Sequence, residues 1–310
     1  MKRIVVRIIA YNQEKVINRA LDSVLCQKEW GLYRLIVSDD CSKDQTWEIL
    51  QDYQQKYPGI VYIYRNEHNL GIYGNVEKSE TYLPEDYDLF GSLSGDDAYC
   101  DGYFKAVQEL VIDKSIDTNK EVGIFSDRKS VGPDGSERIF RQNDVLSGYP
   151  LISLKIRGII TSRSILMTKK VRKLFTPVLN NRGLALTEGD RDLQPHLIIK
   201  EAYYLPFVSS IYYTGIGVSS QLSAKKTDYY TTQHIEMWRY FMDHYLQTPK
   251  DKHYAQYELL KAEFYGKPTF GKLMLMIYHF NLGQLTKIRT PFKKKFHLFL
   301  SLAKYRLQNK

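Results

Sequence analysis

Within the first hundred residues, four short β-type runs over 3–9, 33–38, 61–64 and 89–93 alternate with stretches whose apolar residues recur at helical spacing. Val16, Ala20, Leu21, Val24 and Leu25 recur in this way after Asn12, and Trp47, Ile49, Leu50 and Tyr53 do so after Asp44. Such alternation implies βαβ units on a mostly parallel sheet. The expected fold class is therefore α/β, and 310 residues suit one large domain or one domain with an appendage.

Sheets of this kind bind ligands beyond the carboxyl ends of their strands. Three polar clusters are expected at that edge: Tyr11-Asn12, Ser38-Asp39-Asp40-Cys41-Ser42 and Ser94-Gly95-Asp96-Asp97. In the last, an apolar run stops in two adjacent, mutually repelling carboxylates. Hard oxygen ligands at such a place suit Mg²⁺ or Mn²⁺ carrying phosphates, which points to nucleotide chemistry. Each cluster alone could be an ordinary turn or cap, so it is their joint occurrence at three strand ends that carries the functional reading. A further acidic cluster over 187–192 contains Glu188 and Asp190 and precedes a helical pattern with Leu193, Leu197 and Ile198. It is expected at a helix N-terminus, where anions are stabilised in any case.

Beyond residue 101 a helix is expected over 102–112, a strand over 122–125, a turn at 132–135 and strand-like pieces over 156–167. From about 228 the pattern is helical, with breaks near 266–268 and Pro291. The net charge of +9 belongs to the tail, because residues 287–310 hold eight Lys or Arg and no acid. That location argues against nucleic acid as a partner. If helical, the tail gathers Phe292, Phe296, Phe299, Leu300, Ala303 and Leu307 on one face, which suits an anionic membrane surface or docking on the body of the protein. The cysteines, Cys26, Cys41 and Cys100, show neither disulfide nor zinc spacing, so a cytoplasmic setting is expected. No apolar run reaches the roughly 18 residues of a membrane span.

Taken in order, these residues resemble family 2 glycosyltransferases, which have the GT-A fold. Residues 8–14 are similar to the family's opening strand and Tyr-Asn turn, and Val24-Leu25-Cys26-Gln27 to its helix ending in Gln. Residues 37–44 resemble its Asp-Asp-Gly-Ser-Thr-Asp segment, with Cys41 where Gly is common. Asn69-Leu70-Gly71 resembles its Asn-x-Gly loop, Ser94-Gly95-Asp96-Asp97 its acidic metal-binding motif, and 125–127 with 133–135 the start of its acceptor half. Tyr213 and Gly215 stand where the family often has Arg and sometimes a metal-ligating His.

The resemblance implies a GT-A catalytic domain over 1–220, with a nucleotide-sugar-binding half (1–100) and an acceptor half (101–220), then a helical region over 221–310. It implies a metal-dependent inverting transfer from a nucleotide-sugar, of UDP type, to a saccharide or lipid-linked acceptor in polysaccharide synthesis. Asp40 would accept the uracil N–H while Asp39 supports its loop, and the backbone of Ala10 and Tyr11, with Asn12, would hold base or ribose. Asp96 would face the ribose and Asp97 would ligate Mn²⁺ or Mg²⁺. Asp190 would be the catalytic base, with Glu188 as second candidate. The work would be done at the inner face of the membrane, reached through 287–310. Two alternatives are a sugar-nucleotide nucleotidyltransferase, whose usual Gly-rich triphosphate loop is missing after the first strand, and a non-catalytic nucleotide- or sugar-binding module. An NAD enzyme would need a Gly-x-Gly-x-x-Gly there.

Overall fold

The structure is a computed structural model that describes residues 1–142, 151–156, 165–174, 195–215, 248–266 and 270–282, with 235, 238–239, 242–243 and 246. Its contacts divide the chain into two units, 1–151 with 161–221, and 152–160 with 222–310.

The first unit is built on the expected alternation. Strands β1 (Ile4–Ala10), β2 (Leu32–Asp39), β3 (Val61–Arg65) and β4 (Leu89–Ser94) alternate with helices α1 (Ile17–Leu25), α2 (Thr46–Lys56) and α3 (Gly71–Glu80). Then follow β5 (Ala98–Tyr99), α4 (Tyr103–Asp113), β6 (Val122–Val131) and β7 (Glu137–Phe140). β8 (Ile165–Thr168), α6 (Lys169–Lys173) and β9 (Glu201–Tyr213) complete this unit, and the short helix α5 (Leu151–Ile156) that precedes them in sequence falls, from Ile152 on, to the second unit. The strand order is β3-β2-β1-β4-β8-β6-β9-β5, with β7 paired to β6. Pairs β1–β2, β1–β4, β2–β3 and β6–β9 are parallel, whereas β8 joins the two halves by antiparallel pairing with β4 and β6. The sheet is mostly parallel, mixed and flanked by helices.

The core follows from the sequence pattern. Ile4, Val5, Val6 and Ile8 of β1 are fully buried on both faces of the sheet, as a central parallel strand requires. Helix α1 buries Ile17, Ala20, Leu21, Val24 and Leu25, the i, i+3, i+4 stripe of a helix lying on a sheet. Two buried amides tie α4 to this layer: Gln27 Oε1 accepts the Phe104 N–H at 2.9 Å, and Gln108 both accepts from Lys2 N (2.9 Å) and donates to Lys2 O (2.8 Å). Beneath β1 and β4, Glu80 pairs with both Arg7 and Arg172, whose guanidinium carbons lie 5.2 and 5.1 Å from the centre of the Phe90 ring. Both arginine side chains are more than nine-tenths buried.

The structure departs from expectation in three places. The Asn-x-Gly loop leads at once into α3, because Gly71 (φ +74°) sits in the left-handed region and turns the chain into the helix. Of the strand-like apolar piece over 156–167, the part from Ile165 is strand and Ile156 closes a short helix over 151–156, while 157–164 lie outside the described residues. The 13-residue β9 has no counterpart in the sequence reading, since Pro206 interrupts its pattern. Pairing with β6 skips from Leu205 to Val208, so Pro206 falls in a bulge where no ladder donor is needed.

In the second unit, α7 (Pro249–Gly266) and α8 (Phe270–Leu282) pack through Tyr257, Leu260, Phe264 and Met276. Thr248 opens α7 by accepting the Asp251 N–H at 3.1 Å. Among the described residues no helix is long and apolar enough to cross a membrane.

Candidate active site

Strands β2, β1 and β4 lie side by side and run the same way, with Ala10 opposite Asp39 and Ile9 opposite Ser94. Their carboxyl ends therefore bring Tyr11-Asn12, Asp39 to Ser42 and Gly95 to Asp97 to one edge of the sheet. β3 adds a fourth segment, because Asp39 pairs with Arg65 and its carbonyl accepts the Asn66 N–H at 2.9 Å.

The loops after β1 and β2 are latched together. Ser42 Oγ accepts the Asn12 N–H (2.9 Å), Thr46 Oγ1 that of Gln13 (2.7 Å) and Asp44 Oδ2 that of Glu14 (3.0 Å). In return, Asn12 Oδ1 accepts from Lys43 N (2.8 Å) and Glu14 Oε2 from Gln45 N (3.0 Å). Asn12 and Cys41 both have positive φ, 51° and 61°, which lets the two loops turn toward each other. Burial pushes the Asp44 carboxyl up, but hydrogen bonds from Thr46 and from the Glu14 N–H outweigh it and leave the group below the ordinary aspartate value.

Asp39 is fully buried and holds this loop from below. It accepts from the Ser42 hydroxyl and from Ser42 N (3.1 Å), and Arg65 Nε lies 3.3 Å from Oδ2. Burial nevertheless raises its carboxyl above the ordinary range, against the pull of Ser42 and Arg65. Asp40 faces the other way. Its Oδ1 accepts from Asn66 Nδ2 (2.9 Å) and Leu70 N (2.8 Å), and the carboxylate is almost wholly buried. Asn66 Nδ2 is also 3.1 Å from Asn75 Oδ1, and Asn75 is clamped by Ser38 through bonds of 2.6 and 3.0 Å. With two acceptors around Nδ2, the amide orientation is determined, and Asn66 Oδ1 is buried with no hydrogen-bond partner. A buried acceptor in that state favours a ligand that brings an N–H.

The second corner lies at the end of β4. Asp97 N donates to Ser94 O (3.0 Å) in a tight turn, and Asp97 Oδ1 accepts the Tyr213 N–H at 3.2 Å. Gly95 lets this turn lie close against the Gln13 and Ile17 side chains: a Cβ there would stand 2.1 Å from Gln13 Oε1 and 2.8 Å from Ile17 Cδ1. Arg19 of α1 donates from Nη2 to the Asp96 carbonyl (2.5 Å) and stacks on the Tyr213 ring, 3.4 Å from its centre. A cation is thus fixed on the backbone of the acidic pair. Among the described residues no group of three or more His, Cys, Asp or Glu converges to hold a metal ion.

The structure brings Ala10, Tyr11, Asn12, Asp39, Asp40, Asp96 and Asp97 to one edge. Asp190 and Glu188, like the tail over 287–310, lie outside the described residues. Asn66 and Arg19 escaped the sequence reading, and Asn75 entered it only as the end of the 69–75 segment that resembles an Asn-x-Gly loop. Asn66 has a usable signal, since it directly follows the strand beside Asp39, whereas Arg19 on an amphipathic helix looks like any solvated residue.

Residues 5–115 match the family described as Glycosyl transferase family 2. The processive diacylglycerol beta-glycosyltransferase of Mycoplasma pneumoniae is 28% identical over 118 residues, 37% of this chain and 34% of that protein. The chain spans about a third of the length of the curated relatives it matches. Among solved structures, S. aureus TarS 1–349 in complex with UDP-GlcNAc superposes with a TM-score of 0.61 at 14% identity, covering 89% of this chain and 79% of that one. Mannosyltransferase PcManGT from Pyrobaculum calidifontis, in complex with GDP-Man and Mn²⁺, gives 0.52 at 11% identity over 100% and 88%. At such identities the likeness is one of fold. The sheet order, the loops latched at its edge and the match over 5–115 agree: residues 5–115 carry a segment of the glycosyl transferase family 2 type, on a sheet of GT-A type.

Proposed function

We propose that the chain is an inverting, divalent-cation-dependent glycosyltransferase that moves a sugar from a UDP-sugar to a hydroxyl of a saccharide or lipid-linked acceptor in cell-surface polysaccharide synthesis. The observation that carries this reading is the meeting of two unlike polar devices on one sheet edge. The buried Asp40–Asn66 pair suits the N–H of a base, and the Asp96–Asp97 pair beside it suits a cation carrying a diphosphate. Neighbours in complex with UDP-GlcNAc, and with GDP-Man and Mn²⁺, support the same class of donor.

The donor set fits such a cation. Mg²⁺ and Mn²⁺ prefer hard oxygen, and one or two carboxylates together with substrate phosphates suffice to hold them. Asp97 would ligate the ion, which when bound neutralises charge on the departing diphosphate. Asp96 faces the ribose in this reading, Asp39 keeps the loop in shape, and the backbone of Ala10 and Tyr11 with Asn12 borders the base. The acceptor oxygen bonds to the anomeric carbon as the bond from that carbon to the phosphate oxygen breaks, and a carboxylate takes the acceptor proton. Asp190 is assigned that role, with Glu188 as the second candidate. The tail over 287–310 would bring the enzyme to the inner membrane face.

A thermal-shift series with nucleotide sugars, with and without Mn²⁺, tests the donor and the metal together. One UDP-sugar is expected to raise Tm only when Mn²⁺ is present, and Asp97→Asn to lose that shift. Asp190→Asn should keep the shift and lose transfer by about 100-fold or more. If no nucleotide sugar shifts Tm under either condition, the reading fails. Full transfer by Asp190→Asn would move the base role to Glu188.

A further inference from the structure

Helix α8 is apolar on two sides: one packs on α7, and the other is about half exposed and, among the described residues, meets only the His253 ring. Met276 is fully buried among Tyr257, Leu260 and Phe264 of α7, and Ile277 packs on the same cluster. Met274, Leu275 and Tyr278 fall together on the opposite side, within about a third of a turn of one another. They are 49%, 48% and 56% exposed. Three large apolar side chains adjacent on one helix face mark a contact surface rather than scattered surface residues.

We infer that this face of α8 docks on an anionic lipid bilayer. The charge of the surrounding sequence selects that occupant. From Phe264 to Lys310 the chain has ten Lys or Arg and no Asp or Glu, while the residues before Phe264 are close to neutral overall. An apolar stripe in a strongly cationic, acid-free segment matches an interface with phosphates at its surface and acyl chains just beneath. Tyr278 suits the boundary, because its ring meets the His253 ring edge-on at 6.2 Å on one side and is open to solvent elsewhere. A second copy of the same segment would bring like charges together, which opposes self-association. The inference deepens the proposed transfer to a lipid-linked acceptor and rests on it for its biological sense, but its test does not depend on transfer.

The test is flotation of the full chain with vesicles of phosphatidylcholine containing phosphatidylglycerol, against vesicles of phosphatidylcholine alone. The protein is expected to float with the anionic vesicles only, and less in high salt. The triple variant Met274→Ser, Leu275→Ser, Tyr278→Ser should lose about tenfold in partition while keeping its Tm and any Tm shift by a UDP-sugar with Mn²⁺. Ile112→Ser removes an apolar side chain that is 75% exposed on α4 and should leave partition unchanged. In a chain with Cys26, Cys41 and Cys100 replaced by Ser, an environment-sensitive dye on Leu275→Cys should shift to the blue on anionic vesicles. Undiminished flotation of the triple variant, equal loss in Ile112→Ser, or a dimer in light scattering that the triple variant abolishes would overturn the inference. Loss of the nucleotide-sugar shift in the native chain would instead count against the transfer reading alone.

Discussion

Arg19 lays its guanidinium on the ring of Tyr213, 3.4 Å from the ring centre, while its Nη2 holds the carbonyl of Asp96. The same Tyr213 donates its backbone N–H to Asp97. Tyr213 of β9 is therefore tied to Asp96 through the Arg19 side chain and to Asp97 directly.

Arg19→Lys keeps the charge and loses the planar stack and the directed bond. A cost of about 1–2 kcal/mol in the urea midpoint is expected. Transfer should fall further than stability explains, because Asp96 loses its anchor. Equal transfer by the variant at a temperature where it is fully folded would show that the stack is only structural.

Asn66→Ala removes the donor shared by Asp40 and Asn75, together with the orphaned Oδ1. Titration calorimetry with UDP should show binding about tenfold weaker, the equivalent of one hydrogen bond. The dependence on Mn²⁺ should be unchanged, which separates this variant from Asp97→Asn.

Asp44→Ala opens the latch between the loops after β1 and β2, at an expected cost of about 1–2 kcal/mol at pH 7. Its carboxyl is held below the ordinary value in the folded state. Its stabilisation is therefore present above the pKa of the unfolded chain and lost as pH falls through the lower folded value. Urea unfolding at pH 7 and at about pH 3, below the ordinary aspartate pKa, should show the difference between native and variant proteins shrinking in acid. Asp39 has the opposite sign. Raised by burial, its protonation favours the folded state, and that contribution is lost as pH rises through its folded pKa.

Glu80→Gln leaves Arg7 and Arg172 buried around Phe90 without their shared carboxylate. Removing one partner of a buried ionic group costs about 3–5 kcal/mol. Because Glu80 retains some solvent contact, the lower end is expected, read as a fall in Tm. Arg7 lies mid-strand in β1 and Phe90 near the start of β4, both short of the edge that carries Asp40 and Asp97, so the UDP affinity of the folded fraction should be unchanged.

The half built on β1 to β4 was legible because its physics is local. Each parallel strand is a short apolar run and each covering helix shows its own stripe, so β1 to β4 lie within one or two residues of where periodicity put them. The edge where Asp40 and Asp97 meet follows from strand direction alone. Arg19 and Asn66 could not be read in the same way, because their roles depend on partners 77 and 26 residues away. β9 was hidden for a different reason: its Pro206 is acceptable only because the β6–β9 register slips there, and a slip in register leaves no mark on one strand's own pattern.

The hydrogen bond from Tyr213 to Asp97 spans 116 residues, and that separation sets an order of assembly. A chain emerging from its N-terminus can pair β1 to β4 and form the Asp40–Asn66 pocket while β9 is still unmade. The acidic corner gains its fixed backbone donor only when that last long strand is laid beside β6 and β5. A nascent or truncated chain ending with the family match at residue 115 would thus contain both aspartates without the strand that orients one of them. Domain folding generally proceeds from the N-terminal side during synthesis, and distant pairings are the slow ones. The Asp40–Asn66 pair can therefore form on the ribosome well before the acidic corner is complete.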